Sequence, residues 1–234
     1  MKNILLCGAN GFLGNYLGSE FSKDKYFVIN FARQKNKYKN KNFYIVNFDN
    51  PSSIEKKLRL IKKKYKKLDA IVYVLGNSKK NYLKFPSTSN FYKSFQDNFF
   101  TFVNTFNAYN KVFRLDNSNF IIISSIAGVK NINAPFTYSV AKNSLNFYCH
   151  LLAKNFKNKN FKINVISPGN ILMKGNNWSK KVKKNKKSVF NYINKYVPNK
   201  KFCEPYEIYD ICKLLLKKNN FLGSNIILDG GQIL

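Results

Sequence analysis

Apolar, β-branched runs recur along this chain with helical patterns between them, and that alternation limits the fold more than any other feature. Asn3–Cys7, Tyr26–Phe31, Phe43–Asn47, Ala70–Leu75, Asn119–Ser124, Lys162–Ser167 and Asn225–Leu228 read as strands. Pro51–Lys66 reads as a helix opened by proline, which is tolerated at a first helical position. Phe91, Phe95, Phe99, Phe102, Val103 and Phe106 form a stripe at i+3/i+4 steps, which predicts one helix with a wide apolar face. Thr137–Phe156 and Pro205–Lys218 read as two more. Strands alternating with helices make a parallel sheet covered on both faces. The expectation is an α/β fold, a doubly wound parallel sheet of about seven strands. Residues 1–234 read as a single domain, because no composition shift marks a linker. Ligands of such sheets bind at the carboxyl ends of the strands, so the residues just after each strand carry the functional information.

The net charge is +30, yet only Arg33, Arg59 and Arg114 among the 41 basic residues are arginine. Nucleic-acid surfaces use arginine's bidentate fork. Here Lys, Asn, Ile, Phe and Tyr, all codable by A/T-rich codons, are abundant together, and the lysines are dispersed. Base bias and a solvated coat are the simpler reading, so no nucleic-acid partner is expected. The four cysteines have no CxxC spacing and there is one histidine, His150, so no metal site is expected. His150, three turns beyond Tyr138, is expected to be structural. No apolar run approaches the roughly 20 residues that span a bilayer. The N-terminal run to Cys7 is too short for a signal peptide, which predicts a cytoplasmic protein without a membrane partner.

Cys7-Gly8-Ala9-Asn10-Gly11-Phe12-Leu13-Gly14 follows the first strand and opens a helix. Gly8 permits a tight turn, Gly11 leaves room for a pyrophosphate, and Gly14 lets helix and strand approach, with the helix N-terminus facing the anion. At the end of the second strand no carboxylate stands between Asp24 and Asp49 to bind a ribose hydroxyl. Arg33, assisted by Lys35 or Lys37, is suited to a 2′-phosphate instead. This points to NADP, with NAD left open. Asp49 is expected to accept from the adenine amino group, to cap the helix at Pro51, or both.

Ile121–Ser125 is a buried strand running into two hydroxyls, and Tyr138 and Lys142 lie one turn apart on the next helix. A tyrosine titrates near ~10. A neighbouring ammonium and an oxidised nicotinamide favour the phenolate, which makes tyrosine a general acid/base near neutrality. Ser125 is suited to holding a substrate oxygen.

With the glycine turn in front, this set resembles the short-chain dehydrogenase/reductase family, from Asn3 to the C-terminus. The resemblance implies a Rossmann-type fold and reversible hydride transfer between NAD(P)(H) and a carbonyl or secondary alcohol. It implies that Ser125, Tyr138 and Lys142 are catalytic and that Asn98 supports a proton-relay water. Lys142 would also bind the nicotinamide ribose. Ser167-Pro168-Gly169-Asn170-Ile171 matches the segment after the sixth strand, with Ile171 meeting the nicotinamide carboxamide. Leu228-Asp229-Gly230-Gly231 resembles the ending of the family's shorter branch. The chain departs from the pattern at Cys7, at Tyr73-Val74-Leu75-Gly76, where only Gly76 is kept, and at Met173. The G-x-x-G-x-x-G spacing is nearer the extended branch, which keeps a sugar epimerase or dehydratase as one alternative. A non-catalytic dinucleotide-sensing or nucleic-acid-binding protein on the same scaffold is another.

Residues 172–202 are expected to close over the substrate and hold Trp178, the only tryptophan, which is suited to stacking on a sugar or to anchoring a helix. Sugars and acyl-thioesters are the carbonyl substrates to test first. The family's habit implies a homodimer or homotetramer through the helices holding Phe91–Phe106 and Thr137–Phe156.

Overall fold

The computed structural model describes residues 2–35, 37–78, 83–157, 160–218 and 220–234. Strands β1 (Asn3–Cys7), β2 (Phe27–Ala32), β3 (Phe43–Ile45), β4 (Ala70–Tyr73), β5 (Asn119–Ile123), β6 (Lys162–Pro168) and β7 (Asn225–Leu228) form one sheet in the order 3-2-1-4-5-6-7. Every pairing is parallel. The strand order reverses direction between β1 and β4, and the ends of these strands therefore open the crevice of a Rossmann-type sheet.

Helices α2 (Pro51–Tyr65), α4 (Thr101–Phe113) and α5 (Phe136–Asn155) cover one face, and α1 (Phe12–Lys23) and α8 (Pro205–Lys217) the other. Burial on both faces is why β5 reads Phe-Ile-Ile-Ile without alternation: Phe120 and Ile122 pack into one core and Ile121 and Ile123 into the other. Each such side chain contributes about 1.5–3 kcal/mol by leaving water. The helix starts are chemically marked. The Asn50 side-chain oxygen Oδ1 accepts from the Ser52 and Ser53 amides ahead of Pro51, and Glu204 and Glu207 form a capping box around Pro205. The cap of α2 is thus Asn50, which corrects the expectation that Asp49 would serve.

The phenylalanine stripe is not one helix. It is α3 (Thr88–Phe95), a wide π turn at Gln96–Phe100, and then α4. The Asn98 side-chain amide donates to the Ser94 carbonyl at 3.0 Å, taking the acceptor that an α-helix would give to the Asn98 backbone N–H. Several predicted strands also run one or two residues long or short. Tyr26 and Asn47 lie outside their strands, and β4 ends at Tyr73 so that Val74–Gly76 can turn across the carboxyl end of the sheet.

Residues 172–202 carry α6 (Asn177–Lys184) and α7 (Lys186–Tyr196). Their apolar sides gather Val189, Val197 and Phe202 with Trp178 and Tyr192 into a small separate core. Among the described residues no helix is long and apolar enough to cross a membrane.

Candidate active site

The turn after β1 is shaped by its glycines. Gly8 has φ +102°, and a side chain there would press on the Val74 and Leu75 backbone at 3.1–3.3 Å. A Cβ on Gly14 would collide with the Gly8 carbonyl oxygen, so α1 can start this close to the turn only with glycine. Among the described residues no side chain caps α1, and its first turn holds no acid. Its amides therefore face an open trough of about 270 Å³ lined by Gly11, Phe12, Leu13 and Gly14. Uncapped amides at a helix N-terminus are an anion cradle, and they fit a dinucleotide pyrophosphate.

Asn10 does something the sequence did not reveal. Its amide donates to the Gln34 and Lys35 carbonyls at 3.1 and 2.7 Å, and its oxygen accepts from the Lys37 amide at 3.2 Å. It clasps the loop after β2 to the glycine turn. Arg33, on that loop, pairs with Asp97 at 3.2 Å and with Asp49 at 3.9 Å, and Gln96 donates to Asp49 at 2.8 Å. Asp97 and Gln96 were not foreseen, because the π turn that presents them was read as ordinary helix. These pairs are largely solvated and worth little, so a stronger anion can compete for Arg33.

Tyr138 and Lys142 stand on α5, and Ser125 follows β5. The turn Ile126–Gly128 fixes their spacing. A Cβ on Gly128 would stand 2.6 Å from the Lys142 carbonyl carbon, and the Asn143 and Asn146 amides both donate to the Gly128 carbonyl, at 3.0 and 3.2 Å. The turn is clamped against α5, and Ser125 is set beside Tyr138. The Tyr138 ring opens on the cleft, yet the surrounding protein pushes its pKa up, while the nearby Ser125 hydroxyl pulls it down. Lys142 is buried, and loss of water lowers its pKa to about 8. Tyr138 is thus raised where the sequence suggested it would be lowered, and the Lys142 ammonium lies 6.0 Å from its ring centroid.

Behind Lys142 sits Asn98, fully buried. Its oxygen accepts from the Asn77 amide at 2.8 Å, and its amide donates to the Asn77 carbonyl at 3.0 Å. A Cβ on Gly76 would lie 3.0 Å from Lys142 Nζ and 3.1 Å from Asn98 Oδ1, so Gly76 is the space into which both reach. The departure at Tyr73 has its own use. The Tyr73 hydroxyl donates to Thr101 at 2.7 Å and ties β4 to α4.

On the far side, the loop after β6 is held by Cys203, whose amide donates to the Asn170 carbonyl and whose carbonyl accepts from the Leu172 amide. Gly169 passes within 3.0 Å of Asp229, measured from its Cβ position. Asp229 in turn closes the C-terminal turn by accepting from the Gly231 and Ile233 amides at 2.9 Å each. A second cleft of about 350 Å³ opens here, between Ser125, Tyr138 and α6. Ser124, Tyr138, Pro168 and Ile171 line both cavities, which are thus continuous. His150 lies outside them and exposed.

A family model described as enoyl-(acyl carrier protein) reductase matches residues 24–232. The chain belongs to the short-chain dehydrogenase/reductase family. The family match begins after the glycine turn, but similarity to solved members covers nearly all of the chain. ElxO with NADP bound superposes with a TM-score of 0.89 at 22% identity, covering 99% of this chain and 98% of that one. L-sorbose reductase from Gluconobacter frateurii, complexed with NADPH and L-sorbose, gives 0.85 at 19% identity over 99% and 96%. 4-Hydroxyisoleucine dehydrogenase complexed with NADH gives 0.84 at 18% identity over 100% and 99%. At these identities the likeness is one of fold. A search of curated proteins found no match. For a member of this family, the positions that sequence reasoning passed over are Ser78, Ser124 and Asn176 at the junction of the cavities, and Gly128 with Asn143 and Asn146. Ser124 was legible only as the first of two hydroxyls.

Proposed function

We propose that this oxidoreductase reduces a carbonyl to a secondary alcohol with NADPH, reversibly, and that Tyr138 is its general acid/base. One observation carries the reading. Tyr138 lines both of two adjoining cavities, one fitted for a dinucleotide and one open to a substrate, and Ser125 lines the substrate cavity with it. The dinucleotide would lie with its pyrophosphate on Gly8–Gly14, its adenosine end at Arg33 and Asp49, and its nicotinamide against Gly76, Pro168, Gly169 and Ile171. Arg33, with no acid at the end of β2, favours the 2′-phosphate of NADP. ElxO and L-sorbose reductase, each solved with NADP or NADPH, are consistent with that choice.

When bound, the reduced cofactor supplies a hydride. Ser125 holds the substrate oxygen, and Tyr138 Oη gives it a proton. Burial keeps Tyr138 a phenol near neutrality, which is the state that reduction needs. Oxidation needs the phenolate, and there the Lys142 ammonium and the positive nicotinamide favour loss of the proton. Lys142 also reaches the nicotinamide ribose, and Asn98, meeting Lys142 at Gly76, supports the water that returns the proton.

Residues 172–202 act as the substrate lid. A Cβ on Gly175 would lie 2.7 Å from the Phe12 ring, so the lid already packs on the glycine turn and can register the cofactor there. Phe136, Val140, Phe147 and Leu151 are exposed and fall on one side of α5. That stripe suits a homodimer or homotetramer built through α4 and α5. The four buried free thiols fit a reducing compartment such as the cytoplasm.

The test is NADPH oxidation over a panel of sugar, acyl-thioester and simple ketone substrates. Tyr138→Phe should lose about 10²–10⁴-fold in turnover while binding NADPH as before. Turnover at the wild-type rate in Tyr138→Phe would refute the assignment.

A further inference from the structure

Arg33 favours the 2′-phosphate of NADP, yet two carboxylates already face its guanidinium. Arg33 Nη1 donates to Asp97 Oδ1 at 3.2 Å, and Asp49 Oδ1 lies 3.9 Å from Nη2. The acids come from different parts of the chain. Asp49 lies in the loop after β3, and Asp97 is the second residue of the π turn. They are not held alike. The Asp97 side chain is 21% exposed, against 48% for Asp49. Asp97 is also anchored from behind, because its second oxygen, Oδ2, accepts from the Asn77 side-chain amide at 3.1 Å. Asn77 is tied in turn to the fully buried Asn98, through its backbone N–H at 2.8 Å and its carbonyl at 3.0 Å. The Asp97 carboxylate is thus fixed to the same framework that carries Asn98. Arg33 reaches it with a long, part-exposed side chain, which can turn toward another anion while the carboxylate stays where it is.

A 2′-phosphate that engages Arg33 therefore arrives beside a fixed negative charge. The guanidinium it meets is already shared, and like charges around one partner repel. An unphosphorylated ribose meets the same group differently, because its hydroxyls donate and a carboxylate accepts. At physiological salt the screening length is about 8 Å, so the charges in contact with Arg33 weigh more in this balance than the dispersed lysines do.

We propose that Asp97 is a positioning residue that sets cofactor specificity: it holds down the preference for NADPH that Arg33 confers. The proposal rests on reading the trough at the glycine turn as a nicotinamide dinucleotide site. Asp97 carries this role more than Asp49 because it is nearer to Arg33, less exposed and fixed by Asn77.

The test is direct binding of NADPH and of NADH, followed by nicotinamide fluorescence at about 0.15 M salt, in the wild type, Asp97→Asn and Asp97→Ala. Asp97→Asn keeps an oxygen for the Asn77 amide and removes the charge. The ratio of NADPH to NADH affinity should rise at least about threefold over the wild type, mostly through tighter NADPH binding. The ratio is a readout that a merely structural role would not move, because the two cofactors differ only in the phosphate. Damage to the π turn would weaken both together and leave the ratio unchanged. Asp97→Ala removes the charge and the Asn77 acceptor together, and is judged by the same ratio if the asparagine variant does not fold. A smaller rise, or a fall, would overturn the proposal. A wild type that binds neither cofactor would instead sink the dinucleotide reading, whereas binding of both with a ratio indifferent to Asp97 would sink this inference alone.

Discussion

At the scale of single residues, the least comfortable group in the molecule is Lys142. Its ammonium is buried, and among the described residues no carboxylate pairs with it; its Nζ lies 3.5 Å from the Ile123 carbonyl. The folded pKa, about 8, is below that of an unfolded lysine. Below pH 8 both states carry the proton, and the folded state bears the full cost of burying it. Between pH 8 and the unfolded value, the folded state binds fewer protons, so this group's contribution to stability rises with pH. Relative to Lys142→Met, the wild type should therefore gain about 2 kcal/mol between pH 7 and pH 10, read from urea unfolding at each pH. A constant difference would show that the lysine is not desolvated as described. The sequence marked Lys142, Tyr138 and Ser125 through spacing alone, and these three do meet. It could not mark the direction in which Tyr138 is shifted, because that depends on how much protein surrounds the ring. Nor could it mark Ser124 or Gly128, whose importance lies in what they touch.

At the scale of elements, hydrophobic period revealed each strand and most helices, because burial on one or two faces is written directly into the order of side chains. What it could not reveal was the π turn at Gln96–Phe100. The phenylalanine stripe continues through it, and the cause is a side chain, Asn98, competing for a backbone carbonyl. The same side chain joins that turn to the loop after β4 through both polar groups of Asn77. Asn98→Ala would leave these buried partners unmet, and should cost about 2 kcal/mol in unfolding free energy, measured by urea denaturation. An unchanged midpoint and slope would mean that the turn is held by its phenylalanines instead. The lid helices were also invisible. Their sequence is mostly lysine and asparagine, and their small core of Val189, Val197 and Phe202 with Trp178 comes together only in three dimensions.

At the scale of the whole molecule, the parallel sheet brings the ends of β1, β4, β5 and β6 to one crevice, which is why residues as far apart as Gly8, Asn98, Tyr138 and Ile171 line or support one site. The +30 charge acts at this scale too, by keeping copies apart at low salt. The apolar stripe on α5 must outweigh it if the chain is to associate. Light scattering at micromolar concentration should report a dimer or tetramer in moderate salt, and Phe147→Lys should shift it toward monomer; a monomeric wild type would contradict the proposed assembly. The central claim, that the glycine turn and Arg33 together hold a nicotinamide dinucleotide phosphate, is tested most directly by thermal unfolding with NADPH, with NADH and with neither. A ligand that binds only the folded state raises apparent stability by RT ln(1 + [L]/Kd). NADPH should raise the midpoint more than NADH at equal concentration, and Arg33→Ala should remove most of that difference. A larger shift with NADH would contradict the role given to Arg33, and no shift with either would contradict the account as a whole.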